Sequence, residues 1–386
     1  MITVGDHEHS TELLPDHDAR VGVCTSPASA HRQPAHEPAG RLVPAREPLG
    51  GGVGVRCPGS RWCEHRFPGI CLFTGHGRRC WRIMRSVAPA ADQVHTTLRR
   101  SWQCDPGPCI PLGEDAWRVE IDNGQFEPNP RDAAQFVVKW APVATRRGFE
   151  AGLCAAEHLD ASGVCAGRPV RAADGALTTA LPTRAGDGVI ALMRLVPGRP
   201  LHADDPLDQS WWGGALGAAH RSLRRFVHPD LAKFQVAAVP AAAPHLAMEP
   251  WLGPAVTEAA AVVRRIMVTD QLTYGVRHGA PDAARFRLDS STGRVGLVGW
   301  AAAGTGPLLY DLAHAVLCAG GTEAEALVEA YVRAGPVPAD ECVAVLPAML
   351  ALRTAARAAA VAERIHTGGG TPRDHAELTR MAALLL

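Results

Sequence analysis

Lysine is almost absent from this sequence of 386 residues, since only Lys139 and Lys233 occur while arginine is abundant. The charges nevertheless balance, with 39 basic and 39 acidic residues. A balanced chain lacks the positive excess of a sequence-independent nucleic-acid binder, so we expect no nucleic-acid partner. Because scarce lysine is typical of a GC-rich coding sequence, the two lysines that remain are candidates for specific roles.

Long uninterrupted apolar runs are also missing. The most apolar stretch, residues 343–362, is interrupted by Pro347, Arg353 and Arg357. A membrane-spanning helix needs about 20 consecutive, mainly apolar residues. The interruptions therefore predict a pair of buried helices, and we expect no membrane partner.

The sequence has no apolar leader segment either, because its first residues are charged. We therefore expect no signal peptide. The eleven cysteines are expected to be reduced thiols in a cytoplasmic protein and not a disulfide scaffold.

Residues 1–83 lack the apolar periodicity that builds a core. A metal site is one hypothesis, but the ligand spacing does not match the paired C-x2–4-C and H-x3–5-H pattern of structural zinc sites. A disordered segment is a second, because this composition cannot offset its ordering entropy. The third, which we favour, is that translation begins at Met84 and the earlier residues are upstream sequence read in frame. The candidate ligands are Cys57, Cys63, His65, Cys71, His76 and Cys80.

The rest of the chain predicts two lobes. Residues 84–195 contain strand signals and one helix, and residues 196–386 are mainly helical with a late hairpin. This order predicts an α+β fold with a small antiparallel sheet in the first lobe. It disfavours a doubly wound sheet, in which strands and helices alternate. The predicted strands are 117–121, 135–140, 176–181 and 189–195, the helix is 145–159, and the hairpin joins 284–289 to 294–300.

Four segments, in this order and spacing, resemble the aminoglycoside phosphotransferase and choline kinase family. They are FVVKW, ALMRLVPGRPL, LGAAHRSL and the stretch from Tyr274 to Val316. The resemblance covers about residues 109–331. It implies a bilobal protein-kinase-like fold that positions a nucleotide and a hydroxyl-bearing acceptor.

The resemblance implies that Lys139, on a strand, holds nucleotide phosphates. Its partner on the helix is expected to be Glu157, with Glu150 as the alternative. In the loop that covers the phosphates, Gly113 is the one glycine present. The backbone of the hinge, at Leu192, Met193 and Arg194, is expected to lie beside an adenine ring.

The segment beginning at His278 matches the family's catalytic loop without its carboxylates. The base position falls on Ala280, and the later metal ligand falls on Ala284 or Arg285. The second metal-binding aspartate is replaced by Gly299. His278 and Asp311 match and are expected to be structural, and Asp282 is a possible substitute acid.

These losses predict a pseudokinase that binds a nucleotide or a peptide. The family analogy suggests a small-molecule or peptide ligand, or a partner enzyme, in a natural-product pathway. The alternative is an active ATP-dependent phosphotransferase that uses Asp282, and a third hypothesis is a decayed gene. ATP is the cofactor to test, whereas no complete Mg²⁺ site is expected.

Overall fold

The computed structural model describes residues 89–121, 135–183, 186–236, 243–269, 272–321 and 323–385. The hypotheses for residues 1–83, including the candidate zinc ligands, lie outside these ranges. All of the described residues belong to one compact unit.

An antiparallel sheet with a helix on each face forms the first lobe. Along β3, Phe136 and Val138 pack in one apolar cluster with residues of α1. Ala141 packs in another with Phe149 of α2. Because side chains alternate between the faces of a strand, Lys139 lies on the α2 face. The strands run in the order β1-β2-β3-β6-β4, with β5 also on β6. The elements are α1 (Ala91–Trp102), β1 (Ile110–Pro111), β2 (Ala116–Glu120), β3 (Gln135–Pro142), α2 (Arg146–Ala161), β4 (Pro169–Val170), β5 (Thr179–Ala180) and β6 (Gly188–Arg194).

The second lobe is mainly helical and holds the largest apolar cluster. Its described residues include two three-stranded sheets, in the orders β11-β10-β7 and β8-β12-β9. Its helices are α3 (Pro206–Ser222), α4 (Leu252–Met267), α5 (Leu309–Cys318), α6 (Glu325–Ala334), α7 (Ala339–His366) and α8 (Pro372–Leu385). Its strands are β7 (Arg199–Pro200), β8 (Ala232–Lys233), β9 (Tyr274–Arg277), β10 (Phe286–Asp289), β11 (Arg294–Leu297) and β12 (Gly304–Pro307).

The predicted α+β fold with a mainly helical second lobe is confirmed. The expectation of one helix in residues 84–195 is wrong, because α1 and α2 both lie there. The predicted helix pair at residues 343–362 is also wrong. This region is the single helix α7, with Pro347 inside it. Proline removes one hydrogen bond to the residue four positions earlier. Pro347 and Val343 are both exposed, so water can satisfy that carbonyl group.

α7 is long and apolar enough to cross a membrane by length and composition. Half of its most apolar window is nevertheless buried inside the protein, where the helix packs against α4, α5 and α8. This packing is typical of a core helix.

The two lobes meet closely where α2 lies on the short turn Trp300–Ala302. A Cβ added at Gly152 would overlap the carbonyl group of Trp300. Glycine is therefore required at this helix position for the backbone of α2 to reach the turn.

Candidate functional site

Lys139 forms an ion pair with Asp115, which precedes β2. Its Nζ lies 3.0 Å from Asp115 Oδ2, and the two side chains are 23% and 48% exposed. The backbone N–H of Trp140 donates to the carbonyl oxygen of Asp115 at 2.8 Å, which fixes the acidic residue beside the strand. The lysine charge is therefore already partnered by a carboxylate of the chain.

The predicted pairing of Lys139 with a helix glutamate is not found among the residues that the structure describes. Glu157 instead accepts two hydrogen bonds from Arg171, at 2.7 and 3.2 Å. Glu150 accepts from Arg146, four residues earlier on the helix, at 2.9 Å. Arg171 binds Glu157 through two N–H groups, and Arg146 lies one helical turn from Glu150. Lys139, on a strand, offers neither arrangement.

The predicted nucleotide-binding backbone is arranged as follows. Gly113 lies between β1 and β2, and a Cβ added there would meet no atom within 4 Å, so the loop is open on that side. Leu192 and Met193 lie inside β6, which pairs with β3 on one edge and β4 on the other. The N–H of Arg194 donates to the carbonyl of Arg168 at 2.9 Å. That donor is thus already used within the protein, against the expected contact with adenine.

Asp311 fixes the start of the loop that follows β9. One of its carboxylate oxygens accepts from the N–H of His278, and the other accepts from the N–H of Gly279 at 3.1 Å. The ring of His278 stands against Trp300, with ring centroids 4.8 Å apart. Asp311 also lies 3.4 Å from His220. Asp311 and His278 therefore hold the loop in place, which is the role that the sequence predicts for them.

Burial acts on the pKa values of His278 and Asp311 in opposite directions, and other groups decide the outcome for Asp311. It lowers the pKa of His278 to about 4, so the imidazole is neutral at pH 7. Burial alone would raise the pKa of Asp311, but hydrogen bonding to His220 and the nearby Arg277 hold that pKa well below its usual range. A neutral, buried His278 whose Nε2 is hydrogen bonded to Val298 O at 3.1 Å is a poor general base.

An arginine side chain lies across the position where the family would place a metal-binding aspartate. Gly299 has φ of +95°, and a Cβ built there would lie 2.8 Å from Arg285 Nη1 and 3.2 Å from Arg285 Cδ. Of the other predicted degenerate positions, Ala280 and Ala284 contribute no side-chain oxygen, and Arg285 carries this guanidinium group itself. A side chain at residue 299 would therefore lie in contact with the guanidinium group of Arg285.

Asp282 is the one carboxylate in this loop, at the N-terminal end of the short turn Ala283–Arg285. Its side chain is 16% exposed, and Arg285 Nε lies 3.5 Å from its Oδ2. Burial raises the pKa of Asp282, although the positive charge of Arg285 acts in the opposite direction.

Arg353, on α7, reaches the same loop and was not predicted as a site residue. Its Nη2 donates to the carbonyl of Gly279 at 3.2 Å and contacts His314 Nδ1 at 2.7 Å. Its guanidinium group also stacks on Tyr310, 4.8 Å from the ring centroid. The signal in the sequence was the arginine itself, a charged residue inside the most apolar stretch of the chain.

A lysine-bearing antiparallel sheet packed on a helical lobe with a carboxylate-braced loop defines a bilobal, kinase-like protein. Residues 115–346 match the model of the phosphotransferase enzyme family, which is more than half of the chain. The chain therefore belongs to this family, and the predicted recognition is confirmed.

Solved structures with the same fold are kinases and phosphotransferases. The chain is similar to amicoumacin kinase hAmiN, with TM-score 0.56 and 14% identity over 76% of this chain and 92% of that one. It is similar to choline kinase LicA from Streptococcus pneumoniae, with TM-score 0.54 and 12% identity over 76% and 98%. It is also similar to an aminoglycoside phosphotransferase from Alicyclobacillus acidocaldarius, with TM-score 0.53 and 16% identity over 78% and 94%. No curated protein matches the chain. These similarities confirm the predicted fold class.

The residues at the loop do not fit the divalent metal ion that this family implies. The described parts of the chain contain no group of three or more histidine, cysteine, aspartate or glutamate side chains that could hold a metal. Mg²⁺ prefers oxygen ligands, and Asp282 is the lone carboxylate in the loop. The positive charge of Arg285 lies beside it and would repel a cation.

Proposed function

We propose that this chain is a pseudokinase of the phosphotransferase family, a binding protein that no longer transfers phosphate. The observation that carries the proposal is the Arg285 guanidinium lying across Gly299, in a loop where Ala280 stands at the expected base position. The family fold supports a small-molecule kinase-like protein.

The chemistry supports loss of transfer. Phosphoryl transfer depends on placing metal ions and a base around the transferred group to neutralise charge and orient the acceptor. Removing a general base alone costs roughly 10² to 10⁴ in rate. Here the loss of the expected base is accompanied by the loss of both metal-binding side chains, so the deficits act together.

An active phosphotransferase that uses Asp282 is the second candidate. The observation in its favour is the raised pKa of this carboxylate, because a general base works best when its pKa lies near the working pH. Against it stands Arg285, whose positive charge lowers the pKa of this carboxylate and pairs with it, so that Asp282 is a weaker base.

A turnover assay separates the two candidates. Hydrolysis of ATP is measured with Mg²⁺, with Mn²⁺ and with EDTA, for the unaltered protein, Asp282→Asn and the matched control Asp230→Asn. Asp230 is an exposed loop residue. We expect no metal-dependent turnover in any of the three. Turnover that requires Mg²⁺, is lost in Asp282→Asn and persists in Asp230→Asn would establish the active enzyme instead.

The names of the similar structures indicate which class of ligand to test. Their names include a choline kinase and an aminopropanol kinase, which supports a small-molecule ligand for this fold. Neighbours in complex with nucleotides support ATP or ADP as probes. We further propose that this protein is cytoplasmic and associates with a partner biosynthetic enzyme. Co-purification from the native host would test that association.

A further inference from the structure

Positive charge is in excess around the loop from His278 to Phe286. At its end, Arg285 has one ion-pair partner among the described residues, Asp282, at 3.5 Å. This Nε–Oδ2 distance is longer than a charge-assisted hydrogen bond, which is about 2.7–2.9 Å. The side chain of Arg285 is 31% exposed, so its guanidinium donors can reach a ligand from solvent.

A second arginine increases this excess. Arg287 follows on β10, close enough to Arg285 for their positive charges to interact. Burial lowers the pKa of Arg287, and the positive charge of Arg285 lowers it further, while Asp282 acts in the opposite direction. The two arginines therefore repel each other and share the influence of a single carboxylate.

A third arginine approaches the start of the loop from α7. Arg353 donates to the carbonyl of Gly279 and to His314, and neither group carries a negative charge. His314 is neutral because burial, and then the charge of Arg353, hold its pKa well below the usual range. The next arginine along the helix differs, since Arg357 forms an ion pair with Glu377.

We propose that this loop binds an anionic group, a phosphate or a phosphate ester, through Arg285 and Arg353 and without a divalent metal ion. Guanidinium groups bind phosphate oxygens directly through several N–H donors. Arg285 then supplies the positive charge that a metal ion would provide in an active relative. This proposal deepens the proposed function and depends on it, because it assumes that the site holds a ligand and does not turn it over.

The test is calorimetric titration with inorganic phosphate, pyrophosphate and ADP, each in excess EDTA, with adenosine as the uncharged comparison. We expect pyrophosphate and ADP to bind in EDTA, and added Mg²⁺ to weaken binding by competing for the phosphate oxygens. Arg285→Gln should weaken binding roughly tenfold to a hundredfold, the usual range for a lost hydrogen bond to a charged group. Arg353→Gln should weaken it as well. Arg285→Lys, which keeps the charge, should lose less affinity for the phosphate probes than Arg285→Gln.

Arg333→Gln is the matched control, because Arg333 is an exposed residue on α6 away from the loop. Its affinity should equal that of the unaltered protein, and circular dichroism checks that every variant is folded. Three results would each overturn the proposal: no binding of either phosphate probe, binding that requires Mg²⁺, or binding left unchanged by Arg285→Gln. A failure of the proposed function is seen separately, as metal-dependent ATP turnover in the earlier assay.

Discussion

Substitution of Gly152 tests the contact between the two lobes most directly. Its added Cβ would overlap the carbonyl of Trp300, and neither backbone can move without displacing α2 or the loop turn. Gly148 lies on the same helix, and a Cβ there meets no atom within 4 Å. The two glycines therefore form a matched pair that differs in what surrounds the added methyl group.

The magnitudes follow from two opposing effects. Replacing glycine by alanine inside a helix stabilises the fold by roughly 0.5–1 kcal/mol. Overpacking a tight contact costs about 1–3 kcal/mol. Gly148→Ala should show the first effect alone, and Gly152→Ala should show both. The difference in unfolding free energy between the variants then isolates the overpacking cost, roughly 1–3 kcal/mol.

Urea unfolding followed by circular dichroism measures this difference. With a slope of about 3 kcal/mol per molar urea, the midpoint of Gly152→Ala should lie roughly 0.3–1 M below that of Gly148→Ala. Equal midpoints for the two variants would refute the close approach of α2 to Trp300.

Two further predictions concern buried charge and pH. Asp208 is fully buried and accepts two hydrogen bonds from Arg199, at 2.6 and 2.7 Å, so Asp208→Asn should cost about 1.5–3 kcal/mol. Asp115→Asn, in an exposed ion pair, should lower the unfolding free energy by less than about 1 kcal/mol. Equal losses for the two variants in thermal unfolding would contradict this ranking. Burial lowers the pKa of His278 from 6.5 to about 4. The unfolded chain therefore takes up a proton at this residue before the folded one does, so the free energy of unfolding should fall by roughly 3 kcal/mol as the pH drops from 6.5 to 4. His314 adds to this fall, and a His278→Gln variant with an unchanged pH slope would count against the assignment.

Local patterns in the sequence predicted the elements that carry the site. The alternation around Lys139 predicted β3, and the apolar stripe of residues 145–159 predicted α2, which spans Arg146–Ala161. The strand expected at 176–181 is only Thr179–Ala180. The strand β12, which comes shortly before α5, was not predicted. Short strands such as β12 depend on partners distant in sequence, and periodicity does not reveal them.

The charged contacts of the site could not be predicted in the same way. Glu157 and Glu150 lie on the correct helix, yet arginines at residues 171 and 146 bind them. Asp115, which was not predicted as a partner, pairs with Lys139. Which of several nearby charges pair depends on distances of a few ångströms between separate elements, and sequence spacing does not fix those distances.

The position of Arg285 limits what a carboxylate at residue 299 could bind. Substituting Gly299→Asp alone would place the new carboxylate against Arg285 Nη1, where the two would neutralise each other. A metal ion would then have to compete with Arg285 for that oxygen. Restoring the carboxylate and removing the arginine are thus coupled changes, neither of which rebuilds the site without the other. What a carboxylate at residue 299 could bind therefore depends on the side chain at residue 285.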